Sequence, residues 1–335
     1  MRISRRAALG GLLTATLAGR NAHAQDSLLN VSYDPTRELY AAINPAFAQA
    51  WRTQTGRDVQ IRASHGGSGA QARAVMDGLD ADVVTLALEP DINALQDRGG
   101  LVAPGWRDRL PNRSVPYTST VLFVVRQGNP KGIKDWDDLV RPGVGVITPN
   151  PKTSGGARWT YLAAWGWALR TSGGDQARAR AYIAELYKRV PVLDTGARGS
   201  TITFAQRNQG DVLLAWEDDA NLAARQPGRR LEIVAPSLSI VAEPVVAVVD
   251  KVVDRRGTRA VAEAYLKFLW TPAAQEIIAQ HSLRPTDAEV MARQTSRFPQ
   301  LPTFTIAGVF GTWADVQREH FSEGGVFDSI YTPGR

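Results

Sequence analysis

The chain has 335 residues, 44% apolar and 21% charged, with no cysteine and a formal net charge of +6. Disulfides and a thiol for lipid attachment are thereby excluded. Four of the 39 basic residues (Arg2, Arg5, Arg6, Arg20) fall in an N-terminal leader without acids, which leaves 35 against 33 acidic residues, too small an excess to mark a nucleic-acid or anionic-membrane partner.

Residues 1–24 read as a signal peptide. Arg5-Arg6 makes it the twin-arginine type, the apolar run over 10–19 is too short to span a membrane, and Ala22-His23-Ala24 is an A-x-A cleavage site. About 310 residues follow, enough for two domains of ordinary size. Residues 28–33 form an apolar strand, and Asp34-Pro35 reads as cap and first position of a helix whose Leu39, Ile43, Phe47 and Trp51 share one face. A second strand, 59–63, runs into the glycine-rich turn 64–69 and a helix over 71–79. The near-continuous apolar run 83–88 suits a parallel strand covered on both faces, and a short helix follows over 90–98.

Beyond a polar connection at 107–113, the β-prone stretch 118–125 is long enough to pass from one domain to another. Strand 144–148 then leads into Pro149-Asn150-Pro151-Lys152-Thr153-Ser154-Gly155-Gly156. Here two prolines stop the strand, Ser154 caps a helix, and two glycines leave bare N–H groups at its start. A helix over 175–189, a short strand 191–194, the loop 195–200 and another helix repeat the pattern. The buried strand 211–216 ends in Trp216-Glu217, at the strand end where ligand sites of open α/β sheets gather. A second β-prone stretch, 239–250, is the candidate return crossing. Helices follow over 260–269, 272–280 and 311–321. Two α/β lobes joined by two extended crossings is the architecture this order implies.

Four strand-to-helix loops, at Asp34, Ser68, Ser154 and Ala197, point several helix N-termini toward one small anion. Each terminus carries about half a positive charge, so three or four of them offset most of a dianion. Backbone N–H groups are donors only, and that is a chemical filter. Enzyme readings are thinner. The three histidines outside the leader (His65, His281, His320) lack metal-ligand spacing. Ser68 misses the last glycine of a nucleophile elbow, so a pair with His65 reads as an ordinary turn. Residues 67–72 match the G-x-G-x-x-A variant of a dinucleotide motif, with Glu89 about twenty residues on. That keeps an exported NAD-dependent oxidoreductase as the alternative from another class.

The segments 33–38, 64–69, 147–159, 194–200 and 211–217 resemble the periplasmic sulfate-binding proteins of ABC importers, and the likeness spans 28–331. The resemblance implies a type II periplasmic binding fold, with lobe 1 over 25–117 and 246–335 and lobe 2 over 118–245. It also implies sulfate contacts from the N–H groups of Asp34, Ser68, Gly155, Gly156 and Ala197, the hydroxyl of Ser154 and the indole of Trp216. Arg158 and Arg198 would support the loops from behind. No metal, cofactor or catalysis is implied. The implied setting is a periplasmic monomer handing sulfate to a membrane permease, with thiosulfate or molybdate as competing oxyanions. Residues 283–286 depart from the more aromatic version of the family, away from any ligand position.

Overall fold

The computed structural model describes residues 26–331 apart from 227 and 229, so the leader expected over 1–24 lies outside the described residues. The chain opens with β1 (Asp26–Tyr33), α1 (Arg37–Thr55), β2 (Val59–Gly66), α2 (Ser68–Met76), β3 (Val83–Leu86) and α3 (Glu89–Asp97). Strands β4 (Tyr117–Thr118) and β5 (Val121–Arg126) carry it across to a second lobe. That lobe contains β6 (Val146–Pro149), α4 (Gly155–Thr171), α5 (Gln176–Lys188), β7 (Leu193–Asp194), α6 (Ala197–Thr201), β8 (Val212–Trp216), α7 (Glu217–Ala224) and β9 (Leu231–Val234). Strands β10 (Ser239–Ile240) and β11 (Val245–Val248) return. After them come α8 (Asp250–Arg256), α9 (Arg259–Phe268), α10 (Pro272–Gln280), β12 (Arg284–Pro285) and β13 (Thr303–Phe304).

Lobe 1 has the strand order β11-β3-β1-β2 and lobe 2 the order β7-β6-β8-β5-β9. In each, the first strand lies between two parallel neighbours, and the strand continuous with a crossing runs antiparallel. The lobes therefore repeat one plan. Loops leaving the parallel strands emerge at their C-terminal ends, and those ends face each other across the cleft. Strands such as β3 are buried along their whole length because helices cover both faces. In α1 the four apolar residues spaced four apart are all buried, as their spacing predicts.

Three local expectations change. Asp34 is not a helix cap: residues Asp34–Thr36 form a 3-10 turn ahead of α1, and the Asp34 side chain accepts no capping hydrogen bond. The turn expected over 64–69 shrinks to Gly67, because β2 runs through Gly66 and α2 starts at Ser68. Strand β9, four residues at an edge, is an element the sequence reading did not include.

The expected crossings are present and bonded to one another, since Ser119 and Ala242 exchange two backbone hydrogen bonds of 2.9 Å. A third connection joins them. β12 pairs with β4, and β13 pairs with β10, so the chain passes back toward lobe 2 between residues 285 and 303. The C-terminal stretch from 303 onward packs on lobe 2, which corrects its assignment to lobe 1 within 246–335. Trp313, Val316, Phe321 and Phe327 belong to the same apolar cluster as Trp159, Tyr161 and Tyr187. The reason is visible in α4, where 13 of 17 residues are buried. A helix apolar on all sides needs cover on both. The lobe 2 sheet supplies one cover and the C-terminal stretch the other, with Trp313 edge-on to Trp159 at 4.8 Å. Replacing Trp313 by Ala should cost about 3–5 kcal/mol in urea unfolding and expose the segment beyond 303 to protease. Unchanged stability and protease resistance would detach this segment from the core.

Candidate functional site

Loops from both lobes converge where the parallel strands end. After β6, the Asn150 carbonyl accepts from Thr153 N (3.1 Å) and Ser154 N (2.9 Å), turning the chain tightly into α4. Ser154 caps that helix, its Oγ accepting from Ala157 N at 3.3 Å. The amides of Gly155 and Gly156 are the first two of the helix and so have no intrahelical acceptor. Ala197 opens α6 in the same way, and Ser68 opens α2. The Ser68 hydroxyl is already committed, donating to Asp91 Oδ2 (2.5 Å) and accepting from Ala87 N (3.0 Å). What Ser68 offers the cleft is its N–H.

Trp216 ends β8, 3% exposed, with its indole N–H directed at the Gly156 carbonyl at 3.4 Å and its ring 5.5 Å from Tyr33. Gly156, Ala197 and Trp216 line one small cavity together with Asp219. All seven sequence-predicted residues therefore lie on loops that meet at the cleft, Asp34 on the loop facing Gly196. The lobes touch closely enough that a side chain would keep them apart. A Cβ on Gly67 would lie 2.5 Å from the Thr153 carbonyl oxygen, and one on Gly155 would lie 2.6 Å from Ala87 Cβ and 3.0 Å from Ser68 Cβ. Trp159 ties the cleft shut from lobe 2, donating from Nε1 to the Ala87 carbonyl at 2.8 Å.

The two arginines flanking the loops face away from the cage. Arg158 donates to the Pro151 carbonyl (2.8 Å) and to Gln317 (2.9 Å), with its guanidinium over the Phe321 ring. Arg198 pairs with Glu38 of the opposite lobe. His65 is held down to about 4 by burial, reinforced by Arg37, and is neutral at physiological pH. Ser68 donates to Asp91 and makes no bond to His65, so no Ser-His pair forms. The dinucleotide motif fails on geometry as well. The carbonyl oxygens of Thr153 and Thr195 crowd Gly67, where a pyrophosphate would have to approach.

Sequence reasoning missed the carboxylates behind the loops. Glu217 is 0% exposed and is gripped by Arg284 of β12 through bonds of 2.7 and 3.0 Å. Burial pushes its carboxyl up while Arg284 pulls it down. Burial lifts Asp219 to about 7, opposed by Arg198 and reinforced by Glu38. Asp218 rises well above the ordinary range through burial and the neighbouring Asp219. Glu217, Asp218 and Asp219 form the first turn of α7, where negative charge is favoured, and neither that helix nor their burial was read from the sequence. Asp91 carried no signal at all, because its role rests on Ser68 23 positions away.

The bacterial extracellular solute-binding protein family model matches residues 29–284. The sulfate-binding protein of Escherichia coli is 58% identical over 320 residues, covering 95% of this chain and 97% of that protein. The thiosulfate-binding protein of Pseudomonas aeruginosa is 53% identical over 324 residues, covering 96% and 97%. Among solved structures, the sulfate-binding protein SubI of Mycobacterium tuberculosis aligns with a TM-score of 0.81 at 34% identity, covering 89% of this chain and all of that one.

Gly155 gives the sharpest test of this geometry. Gly155→Ala should leave each lobe folded but oppose closure by about 1–3 kcal/mol of overpacking. Small-angle scattering should then find a larger radius of gyration than in the wild type under ligand-saturated conditions. Equal compactness of the two proteins would show that the lobes do not meet at Gly155.

Proposed function

The chain belongs to the bacterial extracellular solute-binding protein family, and we propose that it captures sulfate in the cleft between its lobes and delivers it to an ABC permease. The observation that carries this reading is the convergence of helix-start N–H groups and side-chain donors on one spot, where the one carboxyl in the lining, Asp219, is lifted by burial to about 7. The donors are the N–H groups of Asp34, Ser68, Gly155, Gly156 and Ala197, the Ser154 hydroxyl and the Trp216 indole. The leader expected over 1–24 and the extracellular solute-binding family both support a periplasmic location, where the protein works as a carrier without altering its ligand.

Sulfate carries no proton at physiological pH, so each of its oxygens accepts hydrogen bonds and none donates. A donor-only cage satisfies such an ion completely. Hydrogen phosphate would instead press an O–H against a donor, leaving both unpaired at about 1–3 kcal/mol each. Charge is offset without a contacting cation, because the helices beginning at or near Asp34, Ser68, Gly155 and Ala197 each present about half a positive charge. Contacts from both lobes mean that the anion favours the closed arrangement, whose joined surface is what a permease would recognise.

Thiosulfate is the second reading, favoured by the similarity to a thiosulfate-binding relative. Its terminal sulfur is a weaker acceptor than oxygen, so a cage of short donors would hold it less firmly. Ser154 tests the main reading. Ser154→Ala removes a hydrogen bond to a charged acceptor worth about 1.5–3 kcal/mol, so calorimetry should find sulfate affinity lowered roughly ten- to a hundredfold. An affinity equal to the wild type would take Ser154 out of the cage.

A further inference from the structure

A cage without a contacting cation exerts its attraction only at short range, so any long-range pull on a dianion must come from charges that do not touch it. Most cations near the cleft are already neutralised. Arg37 lies 3.8 Å from Asp34, Lys152 2.7 Å from Asp328 and Arg107 3.0 Å from Glu89, while Arg198 is paired with Glu38. The two flanks of the cleft then differ in net charge. On one side a cavity between the lobes is lined by Glu38, Asp218 and Arg225, with a neutral His281 whose ring is held down mainly by burial. With Asp218 pushed toward its protonated form by burial, the Glu38 carboxylate and the Arg225 guanidinium balance there.

The other flank carries an excess. Its cavity is lined by Arg73, Asp91 and Arg98 of lobe 1 and by Arg158 and Gln317, which pack with lobe 2. Three guanidinium groups face one carboxylate, an excess of two positive charges. Arg158 is spent on Pro151 and Gln317, and Asp91 is spent on Ser68. The side chains of Arg73 and Arg98 are exposed and make no hydrogen bond or ion pair among the described residues, though Arg73 is near enough to Asp91 to favour its charged form. Both stand on elements that border the cage: Arg73 on α2, which opens at Ser68, and Arg98 at the end of α3, which carries Asp91.

We propose that Arg73 and Arg98 form a capture flank, an electrostatic funnel that draws an oxyanion dianion into the open cleft without contacting it in the closed complex. The inference rests on the sulfate reading above. A unit charge about 10 Å from a dianion in water raises its local concentration roughly threefold at low salt, and screening removes most of this at physiological ionic strength. Charges that steer act on the association rate, whereas groups that touch the ligand act on its escape.

Stopped-flow tryptophan fluorescence with sulfate, at about 10 mM and about 150 mM salt, separates these cases. The double variant Arg73→Gln, Arg98→Gln should associate roughly five- to tenfold more slowly than wild type at low salt and within about twofold at high salt, with dissociation unchanged. Arg170→Gln, which removes one positive charge at a distant site, is the control that each single variant, Arg73→Gln or Arg98→Gln, is compared with. Arg170 lies at the far end of α4, about 22 Å from its N-terminus at 1.5 Å per residue, and should associate like the wild type. The proposal is overturned if the double variant keeps the wild-type association rate at low salt, if Arg170→Gln slows as much as the single variants, or if the change falls on dissociation. Wild-type protein that does not bind sulfate would instead sink the sulfate reading, and this inference with it.

Discussion

Backbone donors can surround an ion only where several chains approach it with no side chain between. That steric requirement organises much of this molecule. Gly67 lies against carbonyls of the opposite lobe, and Gly155 lies against Ala87 and Ser68. A methyl group at either position would meet the opposite loop at 2.5 or 2.6 Å and push the two loops apart. The same requirement explains the repeated strand order, because only the C-terminal ends of parallel strands deliver successive helix N-termini to one edge. Placed face to face, two such edges give a cleft rimmed by N–H groups.

A cage of donors must also keep negative charge from its wall, and the carboxylates behind the loops are managed one by one. Glu217 is neutralised by Arg284, reaching in from the strand β12 that pairs with the crossing. Asp219 and Asp218 are pushed toward their protonated forms by burial. Asp91 is turned to the Ser68 hydroxyl, which fixes the loop and leaves the amide for the cleft. The hinge complements this. Its three connections are short paired strands, so the lobes are held in register, and the side-chain bonds between them include Trp159 to Ala87 and Arg198 to Glu38. An equilibrium of that kind is shifted by a ligand that touches both sides.

Much of this plan was legible in the sequence, because the elements that build it are local. The spacing of Leu39, Ile43, Phe47 and Trp51 defined the buried face of α1, and Ser154 announced itself as a cap through the prolines before it and the glycines after it. What could not be read depends on which distant parts meet. Helical periodicity located the segment around Trp313 but not the lobe it covers, since an aromatic face fits any apolar partner. Asp34 looked like a cap from its neighbours, yet the chain takes a 3-10 turn there. The links from Asp91 to Ser68 and from Trp159 to Ala87 leave no trace in spacing, because each joins residues brought together only by the fold.

The central claim is that donors without acceptors bind a tetrahedral oxyanion only when it carries no proton. Calorimetric titration of the wild-type protein with sulfate and, separately, with phosphate near neutral pH tests this most directly. The account expects phosphate to bind at least about a hundredfold more weakly, from one unpaired donor in the cage and one unpaired O–H on the ligand. Equal affinity for the two anions would contradict it.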